Sequence, residues 1–312
     1  MDDFCCIEIL MNHAEFLQLI EKTDQKLAQQ SLPVYARLFA AFRAMAGDFD
    51  GPIGGYGINP RDFPEYVGPN LIEKINDWYR DRYGEKFNLP SALGRIPFLV
   101  RGQVFTAQIP LAYGQPKVDP LTLIDEMPES MQRSLTREEL KYYTERWMIG
   151  YELIYEMDDM LGSGDLSGYT AATTELIRKA IEDRDSAVDC LQGPHPRTNI
   201  SCFHSQQHTE KMLKAVLIEK AGMTSTIVKK IGHKINDLVT ECLKVTAAFM
   251  NVQTDAALLA NIPMDIRYEI AAVDSSVAVE TYFAALRVGG FCATQISGHQ
   301  RRLGTTKLTI SD

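Results

Sequence analysis

Apolar side chains recur at helical spacing through most of the second half of this chain of 312 residues. The clearest run has members at offsets 0, 3, 4, 7, 8, 11 and 14, namely Ile235, Leu238, Val239, Cys242, Leu243, Thr246 and Phe249. Residues at this spacing share one face of an α-helix, and that face must pack against a neighbour. Similar stripes begin near Leu176, Phe203 and Val273. Four main helices with short connections predict an all-α antiparallel helical bundle.

A stretch rich in glycine and serine precedes this helical half. Residues 162–170 read Gly-Ser-Gly-Asp-Leu-Ser-Gly-Tyr-Thr, a composition that breaks helices. The charge balance also changes there: residues 1–169 hold 16 Lys and Arg against 26 Asp and Glu, and residues 170–312 hold 16 against 15. We therefore predict a domain at 1–161, a linker at 162–170, the bundle at 171–298 and a tail at 299–312.

The first half has a mixed pattern. It predicts helices over about 13–30, after Pro33, and near 69–83, and a β-hairpin formed by residues 95–101 and 104–109. Thr136 and Glu139 have the spacing of a capping box, which predicts a long helix from there to about 161. This half is therefore expected to be α+β, which makes the whole chain mainly helical. It contains no motif typical of catalysis.

Composition excludes several classes of protein. The net charge of −9 argues against broad nonspecific binding to duplex DNA, which needs a strongly basic face. No apolar run approaches the roughly 18 residues that cross a bilayer, and the start lacks the features of a signal peptide. We therefore expect a cytoplasmic protein with no membrane partner. None of its six cysteines belongs to a CxxC motif. We therefore expect Cys190, Cys202 and Cys242 to be reduced thiols in the core.

One run in the second half resembles a known family. Residues 201–217 read Ser-Cys-Phe-His-Ser-Gln-Gln-His-Thr-Glu-Lys-Met-Leu-Lys-Ala-Val-Leu. The run is similar to the second core helix of HEPN domains, which commonly reads C-F-H-x-Q-Q-x-x-E-K-x-L-K-A-x-L. Residues 232–238 resemble the family's H-x-L turn, and Arg267-Tyr268 resembles the R-Y before its last helix. The resemblance covers about 170–298, and we recognise no family in residues 1–169.

The resemblance implies a small up-and-down bundle that often dimerises. Members include noncatalytic nucleotide- or RNA-binding modules and metal-independent ribonucleases, among them toxins and defence effectors. The nuclease branch carries an Arg-x(4–6)-His motif near the last helix. No histidine follows Arg267 at that spacing, although Arg197 and His204 fit Arg-x6-His on the second helix. We therefore predict a nucleotide- or RNA-binding protein, with a role as a toxin or defence effector as an associated hypothesis. A metal-independent endoribonuclease is the alternative, and a noncatalytic structural or interaction module is the second alternative.

A candidate site follows from helical spacing. If the second helix begins at Pro196, four polar residues share one of its faces: Arg197, His204, His208 and Lys211. Arginine can grip a phosphate with two donors, and histidine can exchange a proton near neutral pH. The catalytic candidates are His204 and Arg197. The ligand- or phosphate-binding candidates are His208, Lys211, Arg267 and Tyr268. A polar face whose histidines are satisfied by neighbours is the structural alternative. We expect no metal and no cofactor.

The sequence predicts two kinds of assembly, a homodimer formed through the last helix and a protein partner bound by the first half. Small residues at Ala278, Ala285 and Gly289 are expected to form an exposed strip, since the family commonly dimerises through bundle faces. We therefore expect a homodimer through the C-terminal bundle, burying about 1,600 Å². Residues 1–161 are expected to offer a surface to a protein partner.

Overall fold

The computed structural model describes residues 12–29, 34, 37–46, 65, 68–84, 92–110, 117–162, 169–263, 265–266, 273–298 and 309–310. Residues 163–168 of the predicted linker lie outside this set, and so does the predicted tail except for 309–310.

Three helices near the start of the chain form a small hydrophobic core of their own. They are α1 (His13–Gln29), α2 (Arg37–Ala46) and α3 (Gly68–Tyr83). The buried side chains of this core include Phe16, Ile20, Phe42, Leu71, Ile75 and Tyr79. These helices confirm the three helices predicted for this part of the sequence.

The predicted hairpin is present. Strands β1 (Ala92–Val100) and β2 (Gln103–Pro110) pair in antiparallel register, with Val100 opposite Gln103. Arg101 and Gly102 both have positive φ, as the two-residue turns that match strand twist require. The short strand β4 (Ile124–Asp125) joins the other edge of β2, which gives the order β1-β2-β4. A second, parallel pair joins β3 (Lys117–Val118) to β5 (Thr309–Ile310).

The predicted capping box starts the longest described helix of the first half. After the short α4 (Glu129–Gln132), helix α5 runs over Arg137–Gly162. The Thr136 amide donates to Glu139 Oε2 at 2.8 Å, and the Glu139 amide donates to Thr136 Oγ1 at 3.2 Å. Two amides that the helix leaves free are thereby satisfied.

The second half is a helical bundle, as predicted. Its helices are α6 (Ala171–Asp189), α7 (Thr198–Ala221), α8 (Ser225–Ile231), α9 (Ile235–Val245), α10 (Gln253–Ala260) and α11 (Ser275–Ser297). Helix α7 packs against α6 and α11 and also contacts α9. Cys190, Cys202, Cys242 and Cys292 are free and buried, which confirms the reduced core thiols predicted at 190, 202 and 242.

The helix predicted through Phe249 is shorter than its periodicity suggests. Helix α9 ends at Val245, because Thr246 is extended and its hydroxyl accepts from the Ala248 amide at 3.2 Å. A 3-10 segment, Ala247–Val252, follows and buries Phe249 completely. The apolar spacing therefore continues from the α-helix into the 3-10 segment. The spacing of apolar residues alone does not detect this change of helix type.

A single hydrophobic core includes residues from both sides of the predicted linker. Ile96 on β1 and Trp147 on α5 belong to the same cluster as Leu213 on α7 and Phe283 on α11. The hydrophobic core therefore does not divide where the composition changes, and the predicted domain boundaries stay a prediction.

Two polar side chains of the bundle hold the backbone of β1. The Arg184 guanidinium, buried on α6, donates to the Leu93 carbonyl at 2.9 Å. The Tyr282 hydroxyl on α11 donates to the Arg95 carbonyl at 2.7 Å. Both bonds lie on the face that α6 and α11 turn toward the hairpin.

The small-residue strip of α11 is buried, so the prediction that it is exposed is wrong. Ala278 and Ala285 are at most 2% exposed, and Gly289 faces α7 and α5. A Cβ at Gly289 would lie 2.3 Å from His208 Nε2 and 3.1 Å from Met157 Sδ. The strip serves close packing within the chain. The homodimer stays a prediction, and its contact would need another surface.

Candidate functional site

Helix α7 begins one residue after the candidate Arg197. Arg197 holds the N-cap position, and its amide donates to the Cys190 carbonyl at 2.7 Å. Its side chain is exposed and makes no hydrogen bond or ion pair with any described residue. The guanidinium is therefore available to an anion from solution.

His204 and Lys211 meet at a carboxylate of the neighbouring helix. His204 Nδ1 lies 2.9 Å from Asp183 Oδ1 on α6, and Lys211 Nζ forms an ion pair with Asp183 Oδ2. Burial alone would raise the pKa of Asp183, but the hydrogen bonds from His204 and Lys211 outweigh it and lower that pKa. Asp183 therefore stays ionised and neutralises part of the cationic face that the sequence predicts.

The contact with Asp183 orients the His204 ring. A carboxylate only accepts hydrogen bonds, so Nδ1 carries the proton and Nε2 is the acceptor of the neutral ring. The side chain is 26% exposed and packs edge-on against Phe203. His204 can thus exchange a proton with a bound molecule while Asp183 holds it in place.

His208 corrects the predicted face, because its ring is buried. It is 1% exposed, and Nδ1 donates to the Ala180 carbonyl at 2.7 Å. Burial is the main cause that lowers its pKa to about 4, and Nε2 has no hydrogen-bond partner among the described residues. A neutral, buried histidine cannot bind a phosphate from solution, so His208 is not part of an accessible site.

A second polar cluster lies further along α7. Glu210, only 5% exposed, accepts from Lys214 Nζ at 2.7 Å and lies 2.8 Å from His233 Nδ1. Gln207 joins the two clusters: its Nε2 donates to Glu210 Oε2 at 3.2 Å, and its Oε1 accepts from Lys211 at 3.4 Å. Polar contacts therefore run from His204 along α7 to His233, which lies between α8 and α9.

Sequence reasoning missed Asp183 and the pairing of Glu210 with His233. Asp183 has no motif of its own, and its role depends on the register in which α6 packs against α7. If these helices are known to be antiparallel neighbours, the candidates for the carboxylate that pairs with His204 are limited to the acidic residues of α6. Arg267 and Tyr268 lie outside the described residues.

No group of three or more His, Cys, Asp or Glu among the described residues could hold a metal ion. None of the described helices combines the length and the apolar character that a transmembrane segment needs.

The fold and this polar edge together define an all-α bundle domain with accessible cationic side chains. Residues 173–293 match the family model of the HEPN domain, which confirms the resemblance seen in the sequence of this part of the chain. The residues before it match no family model. Neither a curated protein nor a solved structure matched the chain significantly. The HEPN domain indicates a function related to nucleotides or RNA.

Proposed function

We propose that this protein binds RNA or a nucleotide through the exposed edge of α7. The HEPN match is the observation that carries the proposal. The exposed Arg197 supports it, because a guanidinium donates charge-assisted hydrogen bonds to phosphate, and the partly exposed His204 lies on the same helix. A toxin or defence role, a cytoplasmic location and a protein partner for residues 1–161 stay predictions.

Arg197 and His204 give the proposed surface two contact points on one helix. Arg197 precedes His204 by seven residues, which is about 10 Å along the helix axis. Both side chains can therefore contact phosphates of one bound strand. Lys211 lies nearer to His204, but Asp183 already holds its charge.

Binding is tested by fluorescence polarisation of the full chain with labelled single-stranded RNA and with nucleotides, as salt is raised. We expect binding that weakens with salt, since protein cations displace counterions from phosphates. Replacing Arg197→Ala should cost about 1–3 kcal/mol of binding free energy, the worth of a charge-assisted hydrogen bond. The melting temperature should barely change, because this exposed side chain makes no hydrogen bond or ion pair with the described residues.

The matched control is Arg133→Ala, which removes an exposed arginine at the C-terminal cap of α4. This variant has the same net charge as Arg197→Ala and should bind like the wild type. No binding at low salt would refute the proposed function. Equal losses in the two variants would mean that only the net charge matters.

A metal-independent ribonuclease is the second candidate, and the contact between His204 and Asp183 favours it. His204 Nε2 would take the proton of a ribose 2′-OH as its oxygen bonds to phosphorus. The bond from phosphorus to O5′ would break, with O5′ taking a proton from water. The products are a 2′,3′-cyclic phosphate and a 5′-hydroxyl end, and the imidazole then returns its proton to solvent.

The nuclease is tested by incubating the purified chain with RNA in EDTA. If it is active, His204→Ala should lower turnover about 10²–10⁴-fold while RNA binding is largely kept. Asp183→Asn should lower turnover less, since the imidazole remains but loses the carboxylate that orients it. His13→Ala, at an exposed position on α1, is the control and should cleave normally. RNA that stays intact at high protein concentration would rule this candidate out.

A further inference from the structure

The turn from α8 into α9 carries a concentrated positive charge in an otherwise acidic protein. Residues 224–234 read Thr-Ser-Thr-Ile-Val-Lys-Lys-Ile-Gly-His-Lys, with three lysines, one histidine and no acid. We call this segment the basic corner. Lys229, Lys230, His233 and Lys234 are all exposed. The net charge of the whole chain is −9, so a polyanion approaching the protein would be steered toward this corner.

The three lysines of the basic corner are left without a counter-charge by the part of the chain that the structure describes. None of their side chains forms an ion pair or a hydrogen bond with a described residue. This differs from Lys211 and Lys214 on α7, which are paired with Asp183 and Glu210. The corner therefore offers cations that folding has left available to a ligand.

The basic corner is held firmly by buried groups beneath it. Val228 and Ile235, on either side of the turn, are at most 2% exposed. Gly232 makes the sharp turn at φ 89°, a backbone conformation that residues with a side chain rarely adopt. His233 is 66% exposed, and its Nδ1 contacts the buried Glu210 carboxylate. The lysines thus extend from a fixed backbone, which lowers the ordering cost of binding.

The corner is also continuous with the site proposed above. From His233, polar contacts run through Glu210, Gln207 and Lys211 to Asp183 and His204. The α7 part of this path covers seven residue steps, or about 10 Å. One extended strand could therefore contact both the corner and His204.

We propose that the basic corner binds the phosphate backbone of single-stranded RNA and guides the strand along α7 toward His204. The proposal rests on the proposed function, since it names a second contact for the same RNA. Three lysines suit a few phosphates of a single strand, whereas a duplex calls for an extended basic face. Lysine contacts to phosphates carry no sequence information, so the three lysines confer affinity without sequence preference.

The first test compares salt dependence in two triple variants of the full chain. Replacing Lys229→Gln, Lys230→Gln and Lys234→Gln should weaken RNA binding roughly tenfold or more at low salt. The slope of log affinity against log salt should become shallower by about 2, at about 0.7 for each phosphate contact with a single strand. The control replaces Lys22→Gln, Lys26→Gln and Lys141→Gln, three exposed lysines of α1 and α5. Its net charge is the same, and it should keep the wild-type slope.

The second test uses wild-type protein, so it does not depend on the folding of a variant. Lysines are acetylated with and without saturating RNA, and each site is quantified by mass spectrometry. Lys229, Lys230 and Lys234 should be protected by RNA, whereas Lys22 and Lys26 should not. Equal modification of the corner lysines with and without RNA would overturn the proposal.

The outcomes separate this proposal from the proposed function. If the wild type does not bind RNA at all, both fail. If Arg197→Ala weakens binding but the corner variant keeps the wild-type affinity and slope, only the corner proposal fails. If the two triple variants lose affinity equally, the effect is one of net charge and the corner proposal also fails. Sedimentation with phosphatidylserine-rich vesicles that depends on the corner lysines, without a corner effect on RNA, would assign the surface to membranes instead.

Discussion

At the scale of single residues, the two histidines of α7 have opposite environments although they lie one turn apart. His204 is partly exposed and contacts a carboxylate, whereas His208 is enclosed and contacts a carbonyl. Their spacing from Arg197 and Lys211 suggests one shared face. The packing of α6 and α11 divides that face, because it covers His208 and leaves the edge with His204 open.

The burial of His208 predicts a pH dependence of stability. Its pKa is about 4 in the folded protein and about 6.5 when unfolded, so only the unfolded chain takes up this proton between those values. The contribution to stability is complete above pH 6.5 and is lost as the pH falls toward 4. At pH 5 the loss should be about 2 kcal/mol of the free energy of unfolding.

The measurement is urea unfolding at pH 7.5 and at pH 5 of the wild type and of His208→Gln. The wild type should lose about 2 kcal/mol more between these pH values than the variant, which has no imidazole to titrate. His13→Gln removes an exposed histidine and should behave like the wild type. Identical pH dependence in wild type and His208→Gln would contradict the assignment of a neutral, buried ring.

At the scale of elements, the sequence pattern correctly predicts which residues are buried when a helix has one apolar face. The same pattern fails when a helix packs against several neighbours. Helix α5 follows its capping box, and α6 follows its stripe of Ile177, Ala180 and Val188. Helix α7 contacts α6, α9 and α11, so polar residues such as Ser205 and Thr209 are buried on it. A polar residue on such a helix is therefore weak evidence of an exposed site.

Helix α6 connects the two parts of the structure through adjacent residues. Asp183 points toward α7 and orients His204, and the next residue, Arg184, holds the backbone of β1. Successive residues on a helix point about 100° apart, so one turn can serve both contacts. The position of the hairpin and the orientation of His204 therefore depend on the same helix.

At the scale of the whole molecule, the shared core predicts which fragments fold. A chain beginning at residue 169 lacks Ile96, Trp147 and Ile154, which are completely buried in the core shared with the bundle. A chain beginning at residue 92 keeps them and, among the described residues, loses the three helices with their separate core. We expect the shorter fragment to aggregate or to unfold with low cooperativity, because it exposes an apolar surface.

Circular dichroism melting of the two fragments and of the full chain provides the test. The fragment from residue 92 should melt cooperatively near the temperature of the full chain. A fragment from residue 169 that melts equally cooperatively would show that the bundle folds by itself. That result would support the domain boundary at 162–170.

The sequence by itself determined the helices, the hairpin, the capping box and the HEPN resemblance, because each depends on local spacing or on a contiguous motif. Only the tertiary structure decided which polar residues of α7 are accessible. That outcome depends on the register in which α6 and α11 pack against α7, and local spacing carries no information about register. The same reason applies to Asp183, to the buried strip of α11 and to the core that continues across residues 162–170.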